Sequence, residues 1–243
     1  MMWLLEVATA GYGEEAILRD VRVEFERGSF VLLIGGNAAG KSTLLKTLVG
    51  LVPEVSGSFI WGGGTVDLGE IRAGAAEIAY LPQERVLFPH LTVAESLQVA
   101  QFKLASRGRA HDLGWLKGLI PRLEDWQHRF GADLSAGQRQ LVGLALALVR
   151  RPKLALLDEP CAGLDAVASE EIVEAIQELR RVHEMTVMVA EHRATVFARS
   201  ATSVIGLRRG KMVFTGSPVQ LEDNEVLETV FGLDELDYDR RRS

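Results

Sequence analysis

Cysteine is nearly missing from this chain. Cys161 stands alone among 243 residues, so no intramolecular disulfide is available, and C-x-x-C zinc or redox patterns are absent. A reducing compartment fits that usage. Basic charge is short as well: 27 Lys and Arg face 33 Asp and Glu, for a net charge of -6. A protein that grips nucleic acid usually shows a basic footprint, and none exists at the whole-chain level, so no nucleic-acid partner is expected. Long apolar runs are also lacking. The longest, Leu141 to Val149, contains Gly143 and falls far short of the roughly 20 residues a bilayer crossing requires. It reads as a buried helix face. The opening Met1-Met2-Trp3-Leu4-Leu5 has no basic lead and meets Glu6 at once, which argues against a secretory signal and for a cytoplasmic chain. There is no internal repeat and no long low-complexity linker, and Arg240-Arg241-Arg242 reads as a solvated tail.

What is present is more specific. A hydrophobic content of 47% lets the chain bury a core in one domain, or in a domain with a subdomain. The segment Gly35-Gly36-Asn37-Ala38-Ala39-Gly40-Lys41-Ser42-Thr43 fits G-x-x-x-x-G-K-[ST]. It lies between an apolar run, Phe30 to Ile34, and a helical pattern of Leu44, Leu45, Leu48 and Val49. Strand, loop and helix in that order are the context the motif needs. Successive backbone N–H groups of such a loop converge on nucleotide phosphates, and the helix N-terminus adds positive potential. Lys41 supplies an ammonium for the β and γ phosphates, Ser42 a hydroxyl for Mg²⁺, and Thr43 extends the cradle.

A second chemical site is carried by Leu154-Ala155-Leu156-Leu157-Asp158-Glu159-Pro160, an apolar strand delivering two acids to its C-terminal end. Ligands of open parallel sheets bind at that end, so this strand and the phosphate loop are expected to face one crevice. A carboxylate beside a buried strand is costly unless paired or near a metal, which favours Asp158 as the Mg²⁺ partner. Glu159 is then placed to polarise an attacking water.

Past the middle, Leu134-Ser135-Ala136-Gly137-Gln138-Arg139-Gln140 opens another helical pattern of Leu141, Leu144, Ala145 and Leu148. Ser135 followed three residues later by Gln138 has the form of a capping box, and a capped N-terminus is also an anion site. Thr92-Val93-Ala94-Glu95 is a further capping box, while Gly108, Gly114, Gly118 and Pro121 are expected to break the pattern between the two. Asp165 is placed to cap a helix bearing Ile172, Val173, Ile176 and Leu179.

The ordered set of phosphate loop, Gln83, L-S-x-G-Q at 134–138, apolar-Asp-Glu at 154–159, Gly163-Leu164-Asp165 and His192 resembles the ATP-binding cassette ATPases over almost the whole chain. The resemblance implies an α/β fold: a P-loop NTPase (RecA-like) core with an N-terminal antiparallel β layer and a helical subdomain. It places the core at 1–83 and 151–243 and the subdomain at 84–150. It implies that Ser135 and Gly137, with Gln138, meet the γ-phosphate held by a second cassette, so that two ATP lie between head-to-tail subunits. Tyr12 matches the aromatic that stacks on adenine, and Gln83 a residue reaching Mg²⁺ or water. His192, at the end of the apolar strand Thr186 to Glu191, resembles the switch histidine at the γ-phosphate. His90, His111, His128 and His183 match no such position. Asp165 resembles the aspartate linking the two nucleotide sites.

Three positions depart from the family pattern: Ala38 and Ala136 replace glycines and Cys161 replaces a serine. Alanine restricts positive φ, so each site is expected to use a conformation alanine can adopt. The resemblance also implies partners: a second cassette, integral-membrane permease subunits docking on Val86-Leu87-Phe88-Pro89-His90-Leu91-Thr92, and a substrate-binding protein. The protein would then sit peripherally on the cytoplasmic face of the membrane. The stretch Tyr80 to Val93 is most similar to the branched-chain amino acid and urea uptake group. It is also similar to lipopolysaccharide exporters, and Val230-Phe231-Gly232-Leu233 to siderophore importers. A soluble cassette ATPase acting on DNA or ribosomes is the alternative class.

Overall fold

The computed structural model describes residues 1–71, 77–83, 87–105, 113–192 and 194–232. Val86, Gly108, His111, Leu233 and Arg240-Arg241-Arg242 lie outside the described residues. Three strands open the chain: β1 (Met2–Tyr12), β2 (Glu15–Glu26) and β3 (Phe30–Ile34). After α1 (Lys41–Leu48) come β4 (Glu54–Trp61), β5 (Gly64–Asp67) and β6 (Ile78–Leu81). Four helices follow: α2 (Val93–Ala105), α3 (Gly114–Leu119), α4 (Leu123–Trp126) and α5 (Ala136–Leu148). The chain returns through β7 (Leu154–Asp158), α6 (Ala166–His183), β8 (Thr186–Glu191), β9 (Ser203–Arg208), β10 (Lys211–Gly216) and α7 (Asn224–Phe231).

Two sheets result. One is antiparallel in the order β2-β1-β4-β5; the other runs β10-β9-β3-β8-β7-β6, parallel except for β10. The central strands β3, β7 and β8 are buried at every position and mostly apolar, because both faces are covered. Their side chains alternate between two cores. Phe30, Leu32 and Ile34 of β3 join Ala155, Leu157, Val187 and Val189 against the helices, while Val31, Leu33, Leu154, Leu156 and Met188 face α1 and the antiparallel sheet. The antiparallel layer is itself held by an aromatic cluster, in which Trp3 sits edge-on to Phe25 at 5.7 Å and to Trp61 at 5.4 Å.

The helices follow the expected patterns at α5 and α6. Leu141, Leu144, Ala145 and Leu148 are buried, as are Ile172, Ile176 and Leu179, and Val173 packs at the margin. The Thr92 box forms in both directions: Thr92 N–H donates to Glu95 Oε2 at 2.8 Å and Glu95 N–H to Thr92 Oγ1 at 3.2 Å. One expectation fails. Gly118 does not interrupt the helical pattern: it lies inside α3, where Leu116 and Leu119 are buried and supply what glycine propensity lacks, whereas Gly114 opens that helix and Pro121 follows its end.

Candidate functional site

The phosphate loop leaves β3 in the middle of the parallel sheet. Gly35 has φ 157°, and a Cβ there would stand 2.3 Å from the Leu207 carbonyl oxygen, so only glycine lets the strand exit against β9. Gly40, at φ 103°, caps α1, and a Cβ there would meet Leu18 Cδ2 at 2.6 Å. Between them Ala38 adopts φ 57°. The left-handed conformation that alanine was expected to avoid is the one it takes. Ala136 instead lies in the first turn of α5 with no positive φ, so the second departure carries no backbone strain.

Lys41 is buried, and its ammonium donates to the carbonyls of Gly35 at 2.7 Å and Gly36 at 3.1 Å. That places a fixed positive charge inside the loop it closes. Ser42, in the first turn of α1, donates from Oγ to Asp158 Oδ1 at 2.9 Å. Asp158 is 2% exposed at the end of β7, and its other oxygen, Oδ2, accepts the Tyr80 hydroxyl at 3.0 Å. Burial, followed by the Asp158 charge, pushes the Tyr80 phenol far above its usual range, so it remains a donor. Next in sequence, Glu159 adopts φ 46°, with its N–H donating to the Ala190 carbonyl at 2.9 Å. Its Oε2 accepts Gln83 Nε2 at 2.8 Å.

These residues share one cleft. It has a volume of about 370 Å³ and is lined by Tyr12, Ile17, Asn37, Ala38, Ala39, Gly40, Lys41, Ser42, Thr43, Gln83 and Glu159. Tyr12 is 43% exposed at its rim, which leaves a ring face available to a planar ligand. A larger recess of about 540 Å³ runs along α6 past Asp165, Glu170 and Glu174. Those carboxylates oppose an anionic ligand.

Ser135, Gly137, Gln138, Asp165 and His192 do not line the phosphate cleft within one chain. Ser135 completes its capping box: Gln138 N–H donates to Ser135 Oγ at 3.3 Å, and Ser135 N–H to Gln138 Oε1 at 3.0 Å. Asp165 caps α6 by accepting Ala168 N–H at 2.8 Å. The two helix starts are close, since a Cβ on Gly137 would lie 2.7 Å from Ala168 Cβ. His192 is half-buried, edge-on to Phe231 with ring centroids 6.1 Å apart.

Two site residues escaped the sequence reading. Tyr80 gave a signal only as an aromatic three residues before Gln83. Glu191 is a buried carboxylate at the end of β8 whose Oε1 accepts the Cys161 N–H at 3.2 Å. It ties the strand that precedes His192 to the turn after Glu159. The oxygen set of Ser42 and Asp158, with Gln83 nearby, suits Mg²⁺, which commonly takes one or two protein oxygens and completes its shell with phosphates and waters. No group of three or more His, Cys, Asp or Glu side chains that would cage a metal by itself occurs among the described residues.

Comparison with known proteins agrees with this geometry. The family model described as ABC transporter matches residues 18–162. A phosphonates import ATP-binding protein of Thiobacillus denitrificans is 34% identical over 233 residues, covering 91% of this chain and 89% of the relative. A high-affinity branched-chain amino acid transport ATP-binding protein of Pseudomonas aeruginosa is 35% identical over 214 residues, covering 88% and 91%. Among solved structures, an ATP-binding subunit of an ABC transporter is 28% identical with a TM-score of 0.74, covering 98% of this chain and 99% of that one. A nucleotide-free ATP-binding cassette at 23% identity has a TM-score of 0.78 over 94% and 98%, and shares the fold. With a family model spanning over half of the chain and relatives above 30% identity spanning most of it, this chain belongs to the ABC transporter family and has the fold of its ATP-binding cassettes.

Proposed function

We propose that the chain is an ATP-hydrolysing subunit that closes on a second cassette around two ATP and drives a separate membrane permease. One observation carries the reading: Ser42 with Asp158, and Gln83 with Glu159, meet at the mouth of the loop that holds Lys41. The loop N–H groups and the α1 N-terminus bind the phosphates, and Lys41 exchanges loop carbonyls for the β and γ oxygens. Tyr12 stacks on the adenine. Mg²⁺, held by Ser42 and Asp158 and approached by Gln83, would neutralise charge on the transferred phosphoryl group. Glu159 takes a proton from the attacking water, with Gln83 orienting its carboxylate. Ser135, Gly137 and Gln138 of one subunit close over the γ-phosphate of the other, Asp165 links the two sites, and His192 follows the γ-phosphate.

Helices α2–α5 act as a subdomain, residues 84–150, swinging against a core of 1–83 and 151–243. Permease docking is supported by exposed aromatic side chains of the described part of the 86–92 stretch and the segment bonded to it: Phe88 is 52% exposed and Phe130 48%. Gly131 N–H to the Leu91 carbonyl at 3.0 Å and Ala132 N–H to the Pro89 carbonyl at 3.2 Å hold the two segments together. No described helix is long and apolar enough to cross a membrane, which fits a subunit peripheral to the cytoplasmic face. Import of a small solute, an amino acid or an oxyanion such as a phosphonate, is supported by relatives named for branched-chain amino acids and phosphonates. A substrate-binding protein would then deliver the cargo.

The test is Glu159→Gln. Phosphate release should fall by roughly 10²- to 10⁴-fold while ATP affinity is kept, and an ATP-bound dimer should accumulate on a sizing column. Unchanged hydrolysis removes Glu159 as the base.

A further inference from the structure

We propose that Tyr80 is a positioning residue that aims the Asp158 carboxylate at the magnesium site, an inference that rests on Asp158 being the metal carboxylate. Each oxygen of this carboxylate accepts one hydroxyl: Oδ1 that of Ser42 at 2.9 Å, Oδ2 that of Tyr80 at 3.0 Å. The two donors come from different elements. Ser42 belongs to α1, directly behind the phosphate loop, whereas Tyr80 is on β6, paired in parallel with Leu156 of β7. A tyrosine at that register starts two residues short of Asp158, about 6.6 Å along the strand, a gap its ring and hydroxyl span.

When the Ser42 hydroxyl turns toward a metal, Tyr80 is the partner that keeps Oδ2 engaged and Oδ1 facing α1. A phenylalanine at this position leaves a buried acceptor to find a new partner, and the carboxylate turns with it. The same strand leads straight into Gln83, which donates to Glu159. Adjacent acids at the end of β7 are therefore gripped by two residues of one β6 segment, three positions apart.

Tyr80→Phe tests this, since it keeps the ring and removes one hydroxyl. Mn²⁺ binding to the ATP-loaded protein, read by loss of the free-ion paramagnetic resonance signal, and the Mg²⁺ concentration for half-maximal hydrolysis should both weaken about tenfold, as for one hydrogen bond to a charged group. Affinity for ATP without metal, measured with a fluorescent analogue, should change less than about twofold, and kcat at saturating Mg²⁺ should stay within about threefold, because Tyr80 does not line the phosphate cleft and its lost bond acts only through Asp158. Unchanged metal dependence in Tyr80→Phe overturns the inference. Asp158→Asn separates the two levels: if it also leaves metal dependence unchanged, the assignment of Asp158 falls and the role of Tyr80 with it. If Asp158→Asn weakens metal binding and Tyr80→Phe does not, only the role of Tyr80 is lost.

Discussion

Gly137→Ala is the substitution whose outcome the structure and the helix scale predict with opposite signs. Gly137 is in the first turn of α5, where alanine is intrinsically better by up to about 1 kcal/mol. The added Cβ, however, would stand 2.7 Å from Ala168 Cβ in the first turn of α6. Both helices are fixed at that end, α5 by the Ser135 box and α6 by Asp165, so neither start moves without straining a cap. Overpacking of this kind costs about 1–3 kcal/mol, which cancels the propensity gain and leaves a net loss of up to about 2 kcal/mol. For a chain of this length that lowers the thermal midpoint by about 2–4 °C per kcal/mol. Ala168→Gly should remove the collision. In a double-mutant cycle followed by thermal or urea unfolding, the pair should be less destabilised than the sum of the singles by about 1–3 kcal/mol. A stabilised Gly137→Ala, or strict additivity with Ala168→Gly, would refute the packing account and leave glycine at 137 as a matter of ligand contact alone.

Ser135→Arg should cost about 1 kcal/mol through the lost cap but leave ATP affinity of the isolated monomer nearly intact, while ATP-driven dimerisation, measured by sedimentation, should vanish; normal cooperative hydrolysis would sink the cross-subunit site. Ala38→Gly should stabilise the protein by about 0.5–1 kcal/mol, the left-handed penalty of alanine less the unfolded-state entropy of glycine. A thermal midpoint that falls would show that the φ of 57° at Ala38 is not a source of strain.

Much of the fold was legible because its signals are local. The phosphate loop, the two capping boxes, the Asp165 cap and the apolar strands ending at Asp158 and Glu191 each depend on residues within a few positions of one another. What the sequence hid is long-range or conformational. Tyr80 meets Asp158 across 78 positions, through strand pairing that no spacing rule encodes. Gly137 owes its lack of a side chain to Ala168, on another helix. The backbone of Ala38 could not be read from composition, since alanine by itself argues against the φ it adopts. Gly118 misled for the converse reason: its low helix propensity is overridden by Leu116 and Leu119 in the core.

The place of β6 in the sheet has a mechanical meaning. It is the outermost described strand on its side, bonded only to β7, whereas β3 lies between β8 and β9. The loop that clasps phosphate is thus anchored where displacement breaks two ladders. Tyr80 and Gln83, which grip Asp158 and Glu159 from one side, hang from a rim where displacement breaks one. A pull applied beyond Gln83 reaches the two acids through an edge strand, not through the central strand that carries the phosphate cradle.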